Sequence, residues 1–230
     1  GCMPRRGSAS PAAMARSAQR TSVPVALHLD HGHTYEGVMK AVRWGFTSVM
    51  FDGSSMSLAD NLKKTKEITR IAHSLGISVE GELGYIGHCD DATGITSPEL
   101  VSAEVAADFV MKTKIDALAV AVGTNHGVVK GMGGLNILRL SELSRIVDVP
   151  LVLHGGSKLS REDCRLVIDN GISKINIATD MSMSAAERLR AELAKSPSAN
   201  YIHLMTSVKK GVKDLVRKYM LNFDCISRAI

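Results

Sequence analysis

Residues 149–157 read VPLVLHGGS, an apolar, β-branched run ending in a histidine, two glycines and a serine. Residues 23–33, VPVALHLDHGH, and 119–127, AVAVGTNHG, repeat the arrangement. His31, His126 and His154 thus each stand at or just past the end of a hydrophobic run, and each is followed by glycine. In a parallel α/β barrel, side chains at the C-terminal ends of different strands converge on one face, where the chemistry is done. Three imidazoles meeting there, with one position open, match the ligand count of a catalytic zinc site.

Outward from these runs the pattern is regular. The stretches 23–31, 46–54, 77–84, 115–123, 149–157 and 172–180 read as strands, and amphipathic helices lie between them. Helices are expected over 35–44, ended by Gly45, over 58–75, stopped by Gly76, near 140–146, and over 161–170, closed by Gly171. The segment SPEL at 97–100 suggests a helix start, with Ser97 as N-cap and Pro98 in the first turn. Two more helices complete the chain. Strands and helices alternating at this spacing imply parallel βαβ units with right-handed crossovers. Six strands are two short of the eight in a closed (β/α)8 TIM barrel. The expected fold is therefore such a barrel lacking its first two βα units. A doubly wound sheet also accommodates six strands, but does not readily bring polar residues from all six ends to one point.

Composition narrows the function classes. The chain has 230 residues, 45% of them hydrophobic and only 4% aromatic, so the core is aliphatic. No stretch approaches the roughly 20 apolar residues of a membrane span, and no membrane partner is expected. The net charge is +5, but Arg5, Arg6, Arg16 and Arg20 sit in an acid-free stretch at 1–22. Taking these four from the 28 basic residues leaves 24 against 23 acidic, so the remainder is nearly neutral. That balance argues against a nucleic-acid footprint. Lys209, Lys210, Lys213, Arg217 and Lys218 alternate with apolar residues at helical spacing and read as a solvated helix face. Residues 1–22 read as a disordered leader, with an organelle signal as the alternative, and 23–230 as the domain. Cys2, Cys89, Cys164 and Cys225 form no close pair, which suits a reducing, cytoplasmic setting.

Read in order, the strand ends carry Asp30–His31, Asp52, Glu82, His126–Gly127, His154 to Ser157, and Asn176 to Thr179. Each group binds metal, moves a proton or holds phosphate, and each taken singly has a plainer explanation in packing or capping. The motifs LDHG, VEGELG, GTNHG, LHGGS and KINIATD, in that order, resemble the class II ketose-bisphosphate aldolases. These zinc-dependent enzymes cleave fructose or tagatose 1,6-bisphosphate. The resemblance implies that His31, His126 and His154 hold a catalytic Zn²⁺, which acts as a Lewis acid on the enediolate of dihydroxyacetone phosphate. It implies that Asp30 takes the C4 hydroxyl proton in cleavage. Asp52 and Glu82 would bind a second divalent metal or support the first. Gly127, Gly155, Gly156, Ser157, Asn176, Ile177, Ala178 and Thr179 would contact the substrate and its phosphate, with a monovalent cation beside it. A homodimer or homotetramer is also implied.

The sequence departs from that pattern in places. Where the family loop reads Gly-Gly-x-Glu-Asp, this chain has Gly87-His88-Cys89-Asp90-Asp91. Asp90 would keep the carboxylate that serves proton transfer at C1 of the triose phosphate, with a reach shorter by one methylene. Lys158 stands where glycine usually follows the HGGS segment, and either adds a cation for phosphate or meets a backbone conformation with positive φ. His33 makes an H-x-H pair with His31 and reads as a loop residue. Three functions stay open at this level: a zinc aldolase, a sugar-phosphate-binding barrel without catalysis, and a metal-dependent hydrolase.

Overall fold

The computed structural model describes residues 11–84, 101–123 and 135–226. Fourteen elements follow in chain order among the described residues. They are α1 (Pro11–Ala18), β1 (His28–Gly32), α2 (Tyr35–Arg43), β2 (Ser48–Phe51), α3 (Leu58–Ser74), β3 (Ser78–Leu83) and α4 (Ala103–Thr113). Then come β4 (Ala117–Val120), α5 (Ile137–Ile146), β5 (Leu151–Leu153), α6 (Arg161–Asp169), β6 (Ile172–Ile175), α7 (Thr179–Lys195) and α8 (Tyr201–Asn222). The six strands form one parallel sheet in sequence order, β1 to β6. The expected α/β architecture is therefore present, as six strands with β1 and β6 at the two edges.

Local chemistry accounts for the boundaries. Thr34, Ser57, Ser102, Asn136, Ser160 and Asn200 each accept a backbone N–H in the first turn of the helix they precede. Ser160 and Asp163 complete a reciprocal capping box. Ser97, expected as a cap, lies outside the described residues, and the N-cap of α4 is Ser102. The stretch expected as a disordered leader carries α1, a two-turn helix. No helix among the described residues is long and apolar enough to cross a membrane.

The sheet separates two environments. Val49, Phe51, Val79, Leu118, Leu151 and Leu153 pack with Val38, Ile68, Phe109, Leu140, Leu143 and Val167 of the helices in one apolar core. Met50, Ala119 and Val152 form a second, small cluster. Side chains alternate along a strand, so β3 sends Val79 and Leu83 into the core and Glu80 and Glu82 to the other face. That face therefore carries the two glutamates beside the small Met50, Ala119 and Val152 cluster. A flat sheet would set β1 and β5 about 19 Å apart, four ladder steps of about 4.8 Å. Yet His31 Nε2 on β1 and His154 Nδ1 after β5 are 3.0 Å apart. Asn176, after β6, likewise reaches Asp30 on β1 at 3.0 Å. The sheet is strongly curled, with the glutamate face inward.

Candidate metal and phosphate site

The end of β1 is shaped by a bulge. Leu29 pairs with Val49 and Gly32 with Phe51, so three steps on β1 oppose two on β2. Within the bulge His31 takes φ +50°, a left-handed conformation uncommon outside glycine. Such irregularities re-aim side chains next to active sites. Here the His31 ring turns edge-on to His154, with centroids 4.7 Å apart.

The two rings are held from behind by carboxylates. His31 Nδ1 lies 2.8 Å from Asp52 Oδ2, and His154 Nε2 lies 2.9 Å from Glu80 Oε1. An imidazole facing a carboxylate carries its proton on that nitrogen, which leaves a lone pair on the other. Those other nitrogens, His31 Nε2 and His154 Nδ1, are the pair that face each other at 3.0 Å. Two opposed lone pairs repel unless a proton or a metal ion lies between them. Two nitrogen ligands with bonds near 2.05 Å at a tetrahedral angle would stand about 3.3 Å apart, so the donors fit a small divalent ion. Asp30, His31 and His154 each offer one ligand atom within 4.8 Å of the others. The carboxylate–histidine pairing behind them is the arrangement that fixes ring orientation at metal sites.

Electrostatics agree with that reading. Burial pushes the Asp52 carboxyl up, but hydrogen bonds from His31 and Ser54 outweigh it and hold the group well below the usual carboxylate range. Burial also raises Glu80, and His154 with Lys174 overcomes this and brings it down to about 2. His31 is pushed down by burial and raised further by Asp52 and Asp30, so the net shift is upward. The pocket's carboxylates thus favour positive charge between the rings. Burial and the neighbouring Lys174 lower His28, keeping its imidazole neutral.

Each residue expected from sequence has a definite place or falls outside the described residues. His126, Gly127 and Asp90 fall outside them. Glu82 is 1% exposed, its Oε2 being 3.9 Å from both His31 Nδ1 and His154 Nδ1. With His31 and Asp52 it forms a second group of potential ligands within 4.8 Å. The other oxygen of Asp52 accepts from the backbone and hydroxyl of Ser54. His33 follows β1 in the loop, stacks on His31 at 5.9 Å, and reaches Asp52 Oδ2 at 3.4 Å.

Between the two sheet edges lies a cavity of about 280 Å³, lined by His28, Asp30, Gly155, Ser157 and residues 174–179. It therefore includes Asn176, Ile177, Ala178 and Thr179. Gly155 turns there with φ +68°. Gly156 does not face the cavity: its N–H is already donated to the Asn176 carbonyl. A Cβ on Gly156 would sit 2.4 Å from Ile175 Cγ2, so this glycine serves close packing of β5 on β6. The cavity also meets the N-terminus of α7, whose N-cap residue Ala178 makes no side-chain cap bond. Lys158 adopts φ +70°, taking the conformation a glycine would otherwise supply. Its N–H and ammonium both turn to Asp180, not to the cavity.

Three members of the site were not singled out from sequence: Glu80, Lys174 and His28. Each is a charged or ionisable residue inside an otherwise apolar strand. Glu80 stands two before Glu82 and Lys174 two before Asn176, so each pair shares a face. That spacing is the signal that could have found them.

A curled parallel sheet with a histidine–carboxylate cluster at its C-terminal mouth defines an α/β enzyme fold with a site able to hold a metal. The family model of class-II fructose-bisphosphate aldolases matches residues 3–228, and the chain belongs to that family. It is 35% identical to the fructose-bisphosphate aldolase of Thermus caldophilus, over 92% of this chain and 78% of that protein. It is 37% identical to the D-tagatose-1,6-bisphosphate aldolase subunit GatY of Klebsiella oxytoca, over 95% of this chain and 78% of that protein. It is 38% identical to the sulfofructosephosphate aldolase of Alkalicoccus urumqiensis, over 86% of this chain and 69% of that protein. The crystal structure of the YdjI aldolase from Escherichia coli K12 superposes with a TM-score of 0.83 at 34% identity, covering 96% of this chain and 77% of that one. The chain is a class II aldolase.

Proposed function

We propose that this aldolase is zinc-dependent and splits a ketose 1,6-bisphosphate into dihydroxyacetone phosphate and glyceraldehyde 3-phosphate, or joins them in reverse. The observation that carries the reading is the pair of ring nitrogens at 3.0 Å, each backed by a buried carboxylate. His31, His154 and the sequence-equivalent His126 would hold the ion. Bound there, it would polarise the ketose carbonyl and so lower the cost of carbanion character at C3.

The chain's own residues would do the rest. Asp30, 48% exposed beside the cavity, would accept the C4 hydroxyl proton as the C3–C4 bond breaks. Asp52 and Glu80 would keep the ligand imidazoles in one tautomer. Gly155, Ser157 and the backbone N–H groups of Ala178 and Thr179 at the start of α7 would receive a phosphate, because a helix N-terminus presents unsatisfied donors and a positive dipole end. Asp90 would serve proton transfer at the triose carbon. The curl of the sheet and the cavity between its edges support a further reading, in which these six strands are the larger part of an eight-stranded barrel.

The test is triose-phosphate release from fructose and tagatose 1,6-bisphosphate, measured as purified, after chelation, and after zinc is restored. Cleavage lost with chelator and regained with zinc is expected. Tight bisphosphate binding without turnover, or turnover indifferent to chelator, would overturn the proposal.

A further inference from the structure

Lys174 lies on β6 inside the curl of the sheet, and nothing in the reaction described so far uses it. Its ammonium is 2.8 Å from Glu80 Oε2 and 2.7 Å from Asn176 Oδ1. An ammonium only donates, so it fixes which end of the Asn176 carboxamide faces β3. The other end, Nδ2, then points to Asp30 and donates to its Oδ1 at 3.0 Å. The same Nδ2 lies 3.1 Å from His154 Nε2.

We propose that Lys174 is a positioning residue for the aldol step: it sets the orientation of the Asn176 amide, which in turn holds the Asp30 carboxylate toward the bound sugar. The physical need is clear from the alternative. With the amide reversed, Asn176 Oδ1 would face a carboxylate oxygen, a repulsive contact that would swing Asp30 away. Asp30 is half-exposed on a bulged strand end, so its rotamer depends on such a partner. Displacement of a reacting group by about 1 Å can cost about 10²-fold in rate.

The inference rests on the aldolase reading and concerns only one of its half-reactions. In cleavage, Asp30 takes the C4 hydroxyl proton, the O–H electron pair becomes the carbonyl of the aldehyde, and the C3–C4 pair stays on C3. Exchange of hydrogen on dihydroxyacetone phosphate is different. There the carbon beside the carbonyl loses a proton and regains one from solvent, and there is no C4 hydroxyl for Asp30 to serve. Lys174→Met should therefore separate the two activities.

For Lys174→Met, cleavage of the better of the two bisphosphates should fall about 10²-fold in kcat. Uptake of deuterium from heavy water into dihydroxyacetone phosphate, followed by proton NMR, should stay within about twofold of the parent enzyme, a difference too small to come from a misplaced base. Metal content, measured by mass spectrometry, should be unchanged. Should the methionine variant not fold, Lys174→Gln keeps a neutral polar group there and is expected to give the same split. Cleavage that survives the substitution overturns the proposal. So does a joint loss of cleavage, exchange and metal, which would mean that Lys174 acts on the ion through Glu80. A parent enzyme showing neither cleavage nor exchange would instead overturn the aldolase reading itself.

Discussion

Glu80 is 2% exposed in the middle of a strand, and a buried carboxylate needs partners to stay ionised. It has two, His154 Nε2 and Lys174 Nζ, which bring its pKa down to about 2 despite burial. At the residue scale this makes Glu80 the group that fixes the His154 tautomer. Glu80→Gln keeps the shape but replaces one acceptor oxygen with a donor that faces either an N–H or an ammonium. Zinc affinity, measured by competition with a chelator, should fall about 10- to 100-fold, the usual cost of losing a partner behind a ligand. An unchanged affinity would mean that packing alone orients His154.

At the scale of elements, the site depends on how closely β5 and β6 run. Gly156 is the contact point, since a Cβ there would lie 2.4 Å from Ile175 Cγ2 and 3.2 Å from the Asn176 carbonyl. Gly156→Ala must push the two strands apart or twist Asn176, and overpacking of this kind costs about 1–3 kcal/mol. Gly45 offers the contrast: it has φ +82° and nothing within 4 Å of a built Cβ. Gly45→Ala should cost only the backbone strain of a left-handed residue, about 1–2 kcal/mol, without touching catalysis. Urea denaturation and kcat together distinguish the two, because only the change at Gly156 should lower both stability and turnover. Equal effects on both properties would remove Gly156 from the site's support.

At the scale of the whole molecule, one carboxylate ties the two C-terminal helices to the loop after β5. Asp180 in the first turn of α7 accepts from the Tyr219 hydroxyl on α8 and from the Lys158 backbone, and faces the Lys158 ammonium at 3.6 Å. Burial raises its pKa, but these partners outweigh burial and leave it below the ordinary carboxylate value. A group with a depressed folded pKa contributes stability that is present above its unfolded pKa, near 3.9, and is lost as pH falls through the folded value. The parent chain should therefore lose more stability on going from pH 5 to pH 3 than Asp180→Asn does. Thermal melts across that range give the comparison, and parallel curves would show that α8 is held without this charge.

Much of the arrangement was legible before folding because it follows from local rules. The six strands and the helices between them come from hydrophobic period and glycine stops, whereas the one N-cap expected, Ser97, is not the cap of α4. The histidines and carboxylates at strand ends were legible for the same reason: strand direction in a parallel fold decides which ends meet. Some features depend on distances between segments more than 70 residues apart, and these were not legible. The approach of His31 to His154 and the Glu80–His154 and Glu80–Lys174 contacts are of this kind. The amino-acid order determined which chemical groups arrive at one mouth of the sheet. Only the curl of that sheet decided which atoms touch, because hydrogen bonds and metal bonds are sensitive to tenths of an ångström that no periodicity encodes.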